Sequence, residues 1–283
     1  MHREKLPVVT PQNYYAPEIQ MAYMGATQYK AFRSCEAAAL AELRGEWATE
    51  PTEAMLVGGY VDAYFSDELV TYELDHPQLF KRGGELLKKE YLKAQDIIAR
   101  MEEDELYTLL MAGKKQVIRT GFIAGVPFKI KIDSLLDSSQ CEEIVNRFPG
   151  AEAAMGMCDG AIVDQKLMKD FATVWSAEDH CRLPFVEAWD YDTQGAIYQA
   201  IEGHMLPFIL AAGTKEDSPD LDALYIADED LAAKLAEVED NAPRYQAIKE
   251  GRIKPKRCEH CAYCRATKRL TRIRNYKELL DAE

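Results

Sequence analysis

The chain has 283 residues, of which 47% are hydrophobic, and a formal net charge of −14 at pH 7. This length and composition suit one large domain that buries its own core. We find no apolar run of the roughly 18 residues that a membrane span needs, and no secretory signal at the N-terminus, so we expect a cytoplasmic protein. The seven cysteines are odd in number, which argues against a disulfide framework.

The first part of the chain predicts helices. Residues 1–25 show no clear pattern and are interpreted as an irregular segment. Helices are predicted over 26–43, over 52–69 and, as one long or two short helices, over 85–113. A glycine inside a helix costs about 1 kcal/mol relative to alanine. The pair Gly58-Gly59 within the second helix therefore predicts a close contact.

The pattern changes to alternation of apolar and polar residues at residue 114. Residues 114–137 predict a β-hairpin, in whose second strand Lys129, Lys131 and Asp133 share one face. Further strands are predicted over 160–168, 206–216 and 221–228, with a helix over 185–205 and a helical tail that the cysteine segment interrupts. This order predicts a mixed α/β (α+β) fold with a central mixed β-sheet flanked by helices. We expect one domain over 26–283, with its core at about 114–230.

Two carboxylates and a lysine are expected to meet on this sheet. Asp133 ends one predicted strand, and Asp164 and Lys166 share one face of the next because side chains alternate along a strand. Neighbouring strands would bring all three to a sheet edge. Carboxylates bind Mg²⁺ or Mn²⁺, and a lysine beside such an ion suits phosphodiester hydrolysis. The alternative is a solvated strand face, but the apolar run GAIV before Asp164 favours a site at the end of a core strand.

Gln194 and Tyr198 are four residues apart on a predicted helix and so lie on one face. Such a polar pair can reach a phosphate or a base. The alternative is a partly buried packing pair.

Three cysteines lie close together near the C-terminus. Cys258, Cys261 and Cys264 have the spacing C-x-x-C-x-x-C, which can point three thiolates at one centre. A fourth ligand could come from Cys35 or His260. A [4Fe–4S] cluster, Zn²⁺ and free thiols all remain open.

The cysteines lie within a basic, cysteine-rich C-terminal segment, residues 252–283. Nine Lys or Arg residues stand against one Glu between positions 252 and 274. This segment is either a DNA-facing surface or a solvated helix face.

The segments KIKIDSLL, IVDQK and WDYDTQGAIYQ resemble the PD-(D/E)XK nuclease superfamily, and more narrowly RecB-like and RecE-like (exodeoxyribonuclease VIII-like) phage and prophage exonucleases. The resemblance runs from about residue 28 to 268. It implies a restriction-endonuclease-like core in which Asp133 is the first motif aspartate, Asp164 the (D/E) residue and Lys166 the lysine. It also implies that the backbone carbonyl of Gln165 binds the metal. Gln165 itself departs from the pattern, because a hydrophobic residue is usual there.

The resemblance assigns further residues. Gln194 and Tyr198 fit a Q-x-x-x-Y motif that lies beside the active site and contacts DNA. Asp62 falls where many relatives carry a histidine near the metal. An aspartate there could still bind a metal, but through oxygen. Some relatives hold a [4Fe–4S] cluster with one N-terminal and three C-terminal cysteines, which supports Cys35, although their last cysteine gap is usually longer.

The activity implied by the resemblance is 5′→3′ digestion of linear double-stranded DNA in a phage-type recombination system. It further implies a single-strand annealing partner of the RecT type and a ring-like homo-oligomer. Candidate residues for a basic lining are Lys114, Lys115, Arg119, Lys129 and Lys131. The alternatives are an endonuclease or single-strand nuclease of the same superfamily, a non-catalytic DNA-binding protein, and a metal–cysteine protein with structural carboxylates.

Overall fold

A computed structural model describes residues 6–48, 50–82, 84, 86–156, 158–176, 180–270, 272–273 and 275–277. The ends of the predicted irregular segment and of the predicted helical tail, residues 1–5 and 278–283, lie outside the described residues. Within them, no helix is long and apolar enough to cross a membrane.

The N-terminal part is helical, as predicted, but with more breaks. Its helices are α1 (Pro17–Ala22), α2 (Ala26–Ser34), α3 (Glu36–Leu43), α4 (Glu53–Phe65), α5 (Leu69–Asp75), α6 (Lys89–Glu102) and α7 (Glu105–Leu110). The helix expected over 26–43 is divided because Cys35 has an extended backbone, with φ −160° and ψ 106°. Helix α1 lies in the segment expected to be irregular.

The remainder of the described chain builds the sheet and the helices that follow it. The strands are β1 (Lys114–Ile123), β2 (Val126–Asp137), β3 (Gly160–Met168), β4 (Val174–Ser176), β5 (Cys181–Leu183), β6 (Phe208–Thr214) and β7 (Leu221–Ile226). The helices are α8 (Ser138–Arg147), α9 (Ala151–Met155), α10 (Phe185–Ala188), α11 (Tyr191–Glu202), α12 (Asp228–Lys249) and α13 (Ala262–Ala266). The helix expected over 185–205 is divided at Asp190, whose φ is 54°.

Five strands form the central sheet in the order β1-β2-β3-β6-β7. The pairs β1–β2, β2–β3 and β6–β7 are antiparallel, whereas β3 and β6 are parallel. Strand β3 is therefore the middle strand of a mixed sheet, as the predicted fold class requires. Strands β4 and β5 form a separate small hairpin.

Helices cover both faces of the sheet, and each face has its own apolar core. On one face, Ile132 and Ile162 pack with Phe32 of α2, Ile197 of α11 and Val238 of α12. On the other, residues of α4, α6, α7 and α8 pack with β2, β3 and β6. This three-layer arrangement buries the middle of β3. The polar residues that follow its apolar part, Asp164 to Lys166, take part in a site.

Close packing explains one of the two helical glycines. A Cβ on Gly59 would lie 2.8 Å from Cζ of Tyr72 on α5, so a side chain there would displace the Tyr72 ring. The atom nearest to a Cβ on Gly58 would be Nζ of Lys215, at 3.9 Å, which is an ordinary contact. The expected close contact thus belongs to Gly59, and Gly58 lies on the wall of a cleft.

Candidate active site

Asp133 lies where the pairing of strand β2 with β3 ends and where its pairing with β1 skips one residue pair. The β1–β2 register pairs Val117 with Ile132 and Lys115 with Ser134, but it omits the pair at Asp133. Pairing of β2 with β3 begins only at Ser134. Gln165 of β3 therefore has no backbone partner on β2, and its N–H donates a 3.0 Å hydrogen bond to Oδ2 of Asp133 instead. The carboxylate is thus held against the middle strand.

The expectation that these residues sit at strand ends on a sheet edge is wrong in detail. Strand β2 continues to Asp137 and β3 to Met168, and both are interior strands. The site forms where two interior strands diverge, because the divergence exposes backbone groups and makes room for polar side chains within the sheet.

Asp164 and Lys166 do lie together, as the alternation along β3 predicts. Nζ of Lys166 forms an ion pair with Oδ2 of Asp164, and the Asp164 side chain is 2% exposed. Oδ1 of Asp164 accepts a 2.7 Å hydrogen bond from Nε2 of Gln194 on α11. Nζ of Lys166 also donates to the backbone carbonyl of Gln165 at 3.2 Å. Both carboxylate oxygens of Asp164 therefore have defined neighbours.

Burial and repulsion between like charges raise the pKa values of the carboxylates. Burial, followed by the negative charges of Asp164 and Asp62, raises the pKa of Asp133 to about 8, although Lys166 opposes the shift. Burial likewise raises the pKa of Asp62, and Lys166 and Lys131 oppose that shift. Asp62 nevertheless remains exposed to solvent, on the wall of the cleft. Asp62 thus joins the site electrostatically, in the place that the sequence pattern indicated.

Lys166 carries a stable positive charge in this setting. Burial alone would lower its pKa, but the charges of Asp164 and Asp133 outweigh burial and raise it above the ordinary value. At neutral pH the side chain is therefore an ammonium group, which neutralises charge and does not accept a proton.

Gln194 and Tyr198 support the site from α11 and point inward. The hydroxyl of Tyr198 donates a 3.0 Å hydrogen bond to the backbone carbonyl of Lys131 on β2. Tyr198 is 9% exposed and Gln194 is 8% exposed. The sequence pattern assigned both residues to DNA contact. Here the Gln194 amide holds Asp164, and the Tyr198 hydroxyl holds β2, the strand that carries Asp133. Both residues nevertheless line the cleft.

The cleft in front of these residues has a volume of about 480 Å³. Its charged lining consists of four lysines against three aspartates, in a chain with a net charge of −14. The lysines are Lys30, Lys129, Lys131 and Lys166, and the aspartates are Asp62, Asp133 and Asp164. The cleft is thus locally positive on an acidic protein, which favours entry of a polyanion.

One wall of the cleft comes from residues that the sequence analysis missed. Tyr14 and Tyr15 precede α1. The centre of the Tyr14 ring lies 3.9 Å from Nζ of Lys129, and the centre of the Tyr15 ring lies 5.2 Å from Nζ of Lys131. Nζ of Lys129 also donates to the Tyr14 carbonyl. Lys129 is 1% exposed, and burial lowers its pKa to about 8. It is therefore committed to Tyr14, whereas Lys131 and Tyr15, 69% exposed, face the cleft.

The opposite wall adds Lys30 of α2 and Tyr191 of α11, which the sequence analysis also missed. Nζ of Lys30 lies 5.2 Å from the centre of the Tyr191 ring, and Nζ of Lys166 lies 5.6 Å from it. Burial, followed by repulsion from Lys166, lowers the pKa of Lys30. The WDYD segment before Gln194 was the available signal for Tyr191. Lys114, Lys115 and Arg119, which were candidates for a basic lining, do not line this cleft.

Comparison with known proteins agrees with this geometry. The family model for the PDDEXK-like domain of unknown function (DUF3799) matches residues 25–142 and 155–267. The chain belongs to this family. Its structure is similar to the crystal structure of "Putative exonuclease" from Eubacterium rectale, with a TM-score of 0.82, 36% sequence identity, and coverage of 96% of this chain and 98% of the other. No curated protein matches the chain.

These findings confirm the predicted superfamily and fold class, and they support a nuclease. A member of this PDDEXK-like family is expected to act on a phosphodiester with a divalent metal, and the residues of the cleft fit such an ion. The cleft offers oxygen ligands only, from Asp62, Asp133, Asp164 and the Gln165 carbonyl. Hard cations such as Mg²⁺ prefer this set. The raised pKa of Asp133 also fits, because a cation would offset the repulsion that raises it.

The carboxylates do not form a closed cage. Among the described residues, the three aspartates do not form a group whose ligand atoms all lie within 4.8 Å of one another, whereas four cysteines do. An open set of carboxylates suits Mg²⁺, which keeps several of its waters.

The structure also gathers the four predicted cysteines. The Sγ atoms of Cys35, Cys258, Cys261 and Cys264 all lie within 4.8 Å of one another. The other candidate for the fourth ligand, His260, lies on the wall of a separate groove.

Proposed function

We propose that this protein is a Mg²⁺-dependent exonuclease that hydrolyses phosphodiester bonds of linear double-stranded DNA. The observation that carries the proposal is the convergence of Asp133, Asp164, Lys166 and the Gln165 carbonyl at the base of a locally positive cleft. The similarity to a crystal structure described as a "Putative exonuclease" supports the same reaction class.

The oxygen atoms of the site supply the metal ligands. Asp133 and Asp164 would hold the cation with the Gln165 carbonyl, and Asp62 adds a third carboxylate beside them. When bound, the cation offsets negative charge on the phosphate and activates water for attack. Gln194 keeps one oxygen of Asp164 fixed, so the carboxylate does not rotate away from the site.

Lys166 acts through its charge. Because Asp164 and Asp133 hold it as an ammonium ion, it can stabilise the extra negative charge that develops on the phosphate during attack. The water oxygen bonds to phosphorus and its proton passes to solvent, while the bond from phosphorus to one bridging oxygen breaks and that oxygen leaves with a proton from solvent.

The walls of the cleft suit nucleic acid. Lys30 and Lys131 bring positive charge to bind the backbone, and the exposed Tyr15 provides a face for a base or sugar. The residues 252–274 add a second basic region. Most of the remaining surface repels DNA, so binding is confined to these places.

We extend the proposal to polarity and assembly on the strength of the RecE-like resemblance. The enzyme would digest from 5′ ends and leave a 3′ overhang for a single-strand annealing partner of the RecT type. A ring-like homo-oligomer would enclose the duplex with its basic surfaces inside. Sedimentation with and without linear duplex measures the assembly, and labels at either end measure the polarity.

The central assay compares three substrates in Mg²⁺: end-labelled linear duplex, covalently closed circular duplex and single strand. We expect mononucleotide or short products from the linear duplex and an intact circle. Cleavage of the circle would make the protein an endonuclease, and preferential loss of single strand would make it a single-strand nuclease. Binding without cleavage of any substrate would identify a DNA-binding protein and overturn the proposal.

A further inference from the structure

The four-cysteine group joins distant parts of the chain. Cys35 separates α2 from α3, and Cys258, Cys261 and Cys264 lie in and before α13. The Sγ atom of Cys264 lies 3.6 Å from that of Cys35 and 3.9 Å from that of Cys258. Cys264 is 0% exposed and Cys35 is 5% exposed. Two of the four cysteines are therefore buried, and Cys258 and Cys261 are half-buried.

The spacing of these sulfur atoms distinguishes two kinds of metal site. Four thiolates around one ion at about 2.3 Å lie about 3.8 Å apart, at the corners of a tetrahedron. A [4Fe–4S] cluster places four irons and four sulfides between its thiolates, which must then lie farther apart. The distances of 3.6 and 3.9 Å, and the 4.8 Å limit for the whole set, match the single ion.

We propose that Cys35, Cys258, Cys261 and Cys264 bind one Zn²⁺ ion in tetrahedral geometry, and not the iron–sulfur cluster that the resemblance implies. Four thiolates without an open position are the ligand set of a structural zinc site. The C-x-x-C-x-x-C spacing occurs in both kinds of site, so the distances between the sulfur atoms decide the assignment.

Backbone amides prepare the thiolates. The N–H of Cys261 donates to Sγ of Cys258, and the N–H of Cys264 donates to Sγ of Cys261, each at 3.3 Å. Such bonds stabilise negative charge on sulfur. Four thiolates and Zn²⁺ carry a net charge of −2. Arg257, which donates a 2.7 Å hydrogen bond to the Cys264 carbonyl, brings positive charge beside the site.

The ion would clamp the C-terminal segment to the end of α2. The same helix places Lys30 on the wall of the catalytic cleft. The N–H of Ala37 donates to the Lys256 carbonyl at 3.0 Å, and Arg244 forms hydrogen bonds of 2.7 and 2.8 Å to Glu36. These contacts do not need the ion, so its removal should loosen the cysteine segment more than the sheet.

The test is the metal content of the full chain, purified without oxygen or added metal. We expect stoichiometric zinc, one ion per chain, with no acid-labile sulfide and no visible cluster absorption. Exchange with Co²⁺ should give the visible spectrum of a tetrahedral thiolate site. Stoichiometric iron, with or without sulfide, would overturn the assignment, as would a chain that binds neither metal.

Two cysteine variants locate the ion. Cys258→Ser, at a half-buried position, should lose the zinc and the Co²⁺ spectrum, while Cys181→Ser, at an exposed thiol outside the group, should retain both. Zinc retained in Cys258→Ser, or lost in Cys181→Ser, would contradict the proposed ligands. Circular dichroism checks that each variant is folded. The metal content of the unaltered chain tests the proposal even if a variant does not fold. None of these readouts depends on nuclease activity.

Discussion

The side-chain amide of Gln194 is hydrogen-bonded to Oδ1 of Asp164 at 2.7 Å, and this contact joins helix α11 to the middle strand of the sheet. Asp164 is almost completely buried, so an oxygen left without a donor there would be costly. Gln194 thus connects the packing of α11 with the orientation of a proposed metal ligand.

The first prediction concerns this contact. Gln194→Ala should lower kcat on linear duplex by roughly 10- to 100-fold, the usual effect of removing a partner that orients a ligand. KM for DNA should change little, because Gln194 holds Asp164 and does not present its amide to the backbone. Initial rates across a range of DNA concentrations measure both quantities.

Gln199 is the matched control on the same helix. Its amide donates to the Leu206 carbonyl at 3.1 Å and to Asp228 at 2.9 Å, away from the site. Gln199→Ala should lower thermal stability and leave kcat nearly unchanged. Equal losses of kcat in the two variants would show that Gln194 acts only through stability.

The second prediction concerns the proton on Asp133. Its pKa is about 8 in the metal-free fold and 3.8 ordinarily, so the folded protein keeps this proton in a range where the unfolded chain loses it. The resulting contribution to stability is complete below about pH 4 and is lost as the pH rises toward about 8. Unfolding temperatures without metal should therefore fall more steeply over this range in the unaltered protein than in Asp133→Asn.

Metal binding should reverse this trend. Mg²⁺ needs the ionised carboxylate, so binding below about pH 8 should release a proton, and apparent affinity should rise with pH up to that value. Calorimetry in two buffers of different ionisation enthalpy measures the released proton. Affinity that is independent of pH would show that Asp133 does not bind the metal.

The third prediction concerns the packing of α11. A Cβ on Gly195 would lie 2.7 Å from Cδ1 of Phe208 and 2.9 Å from Cδ2 of Leu231. Gly195→Ala should therefore push α11 from the sheet and destabilise the fold by about 1–3 kcal/mol. Because Gln194 is the adjacent residue, activity should fall as well. Chemical denaturation gives the free energy of unfolding.

Gly25 provides the comparison for Gly195. A Cβ at Gly25 would make only an ordinary contact, at 3.8 Å from the Lys129 carbonyl. Gly25→Ala should leave the free energy of unfolding within about 1 kcal/mol of its original value. A similar loss in both variants would contradict the close packing of α11.

Local patterns were enough to predict much of the catalytic core. Alternation along residues 160–168 places Asp164 and Lys166 on one side of β3, and apolar runs identify the strands on either side. The family match confirms the superfamily and fold class. The position of Asp133 in mid-strand was not predictable, because it depends on where β2 leaves β3 and on the one pair missing from its ladder with β1.

Contacts between distant segments account for the other differences. Tyr14 and Tyr15 lie in a segment without a pattern, and only its packing against Lys129 and Lys131 brings them to the cleft. The break at Cys35 interrupts a stretch of good helix formers, and no local signal marks it. Its position is understandable only from the cysteines more than two hundred residues later.

The most direct test of the account is the hydrolysis of linear duplex DNA in Mg²⁺ by Lys166→Ala and Lys169→Ala side by side. Lys166 pairs with Asp164 in the site, whereas the Lys169 side chain, just beyond the end of the same strand, is 95% exposed. The account predicts that Lys166→Ala folds and binds DNA but loses hydrolysis by a factor of at least about 100, while Lys169→Ala keeps nearly full activity. Hydrolysis that survives Lys166→Ala would place the active site elsewhere.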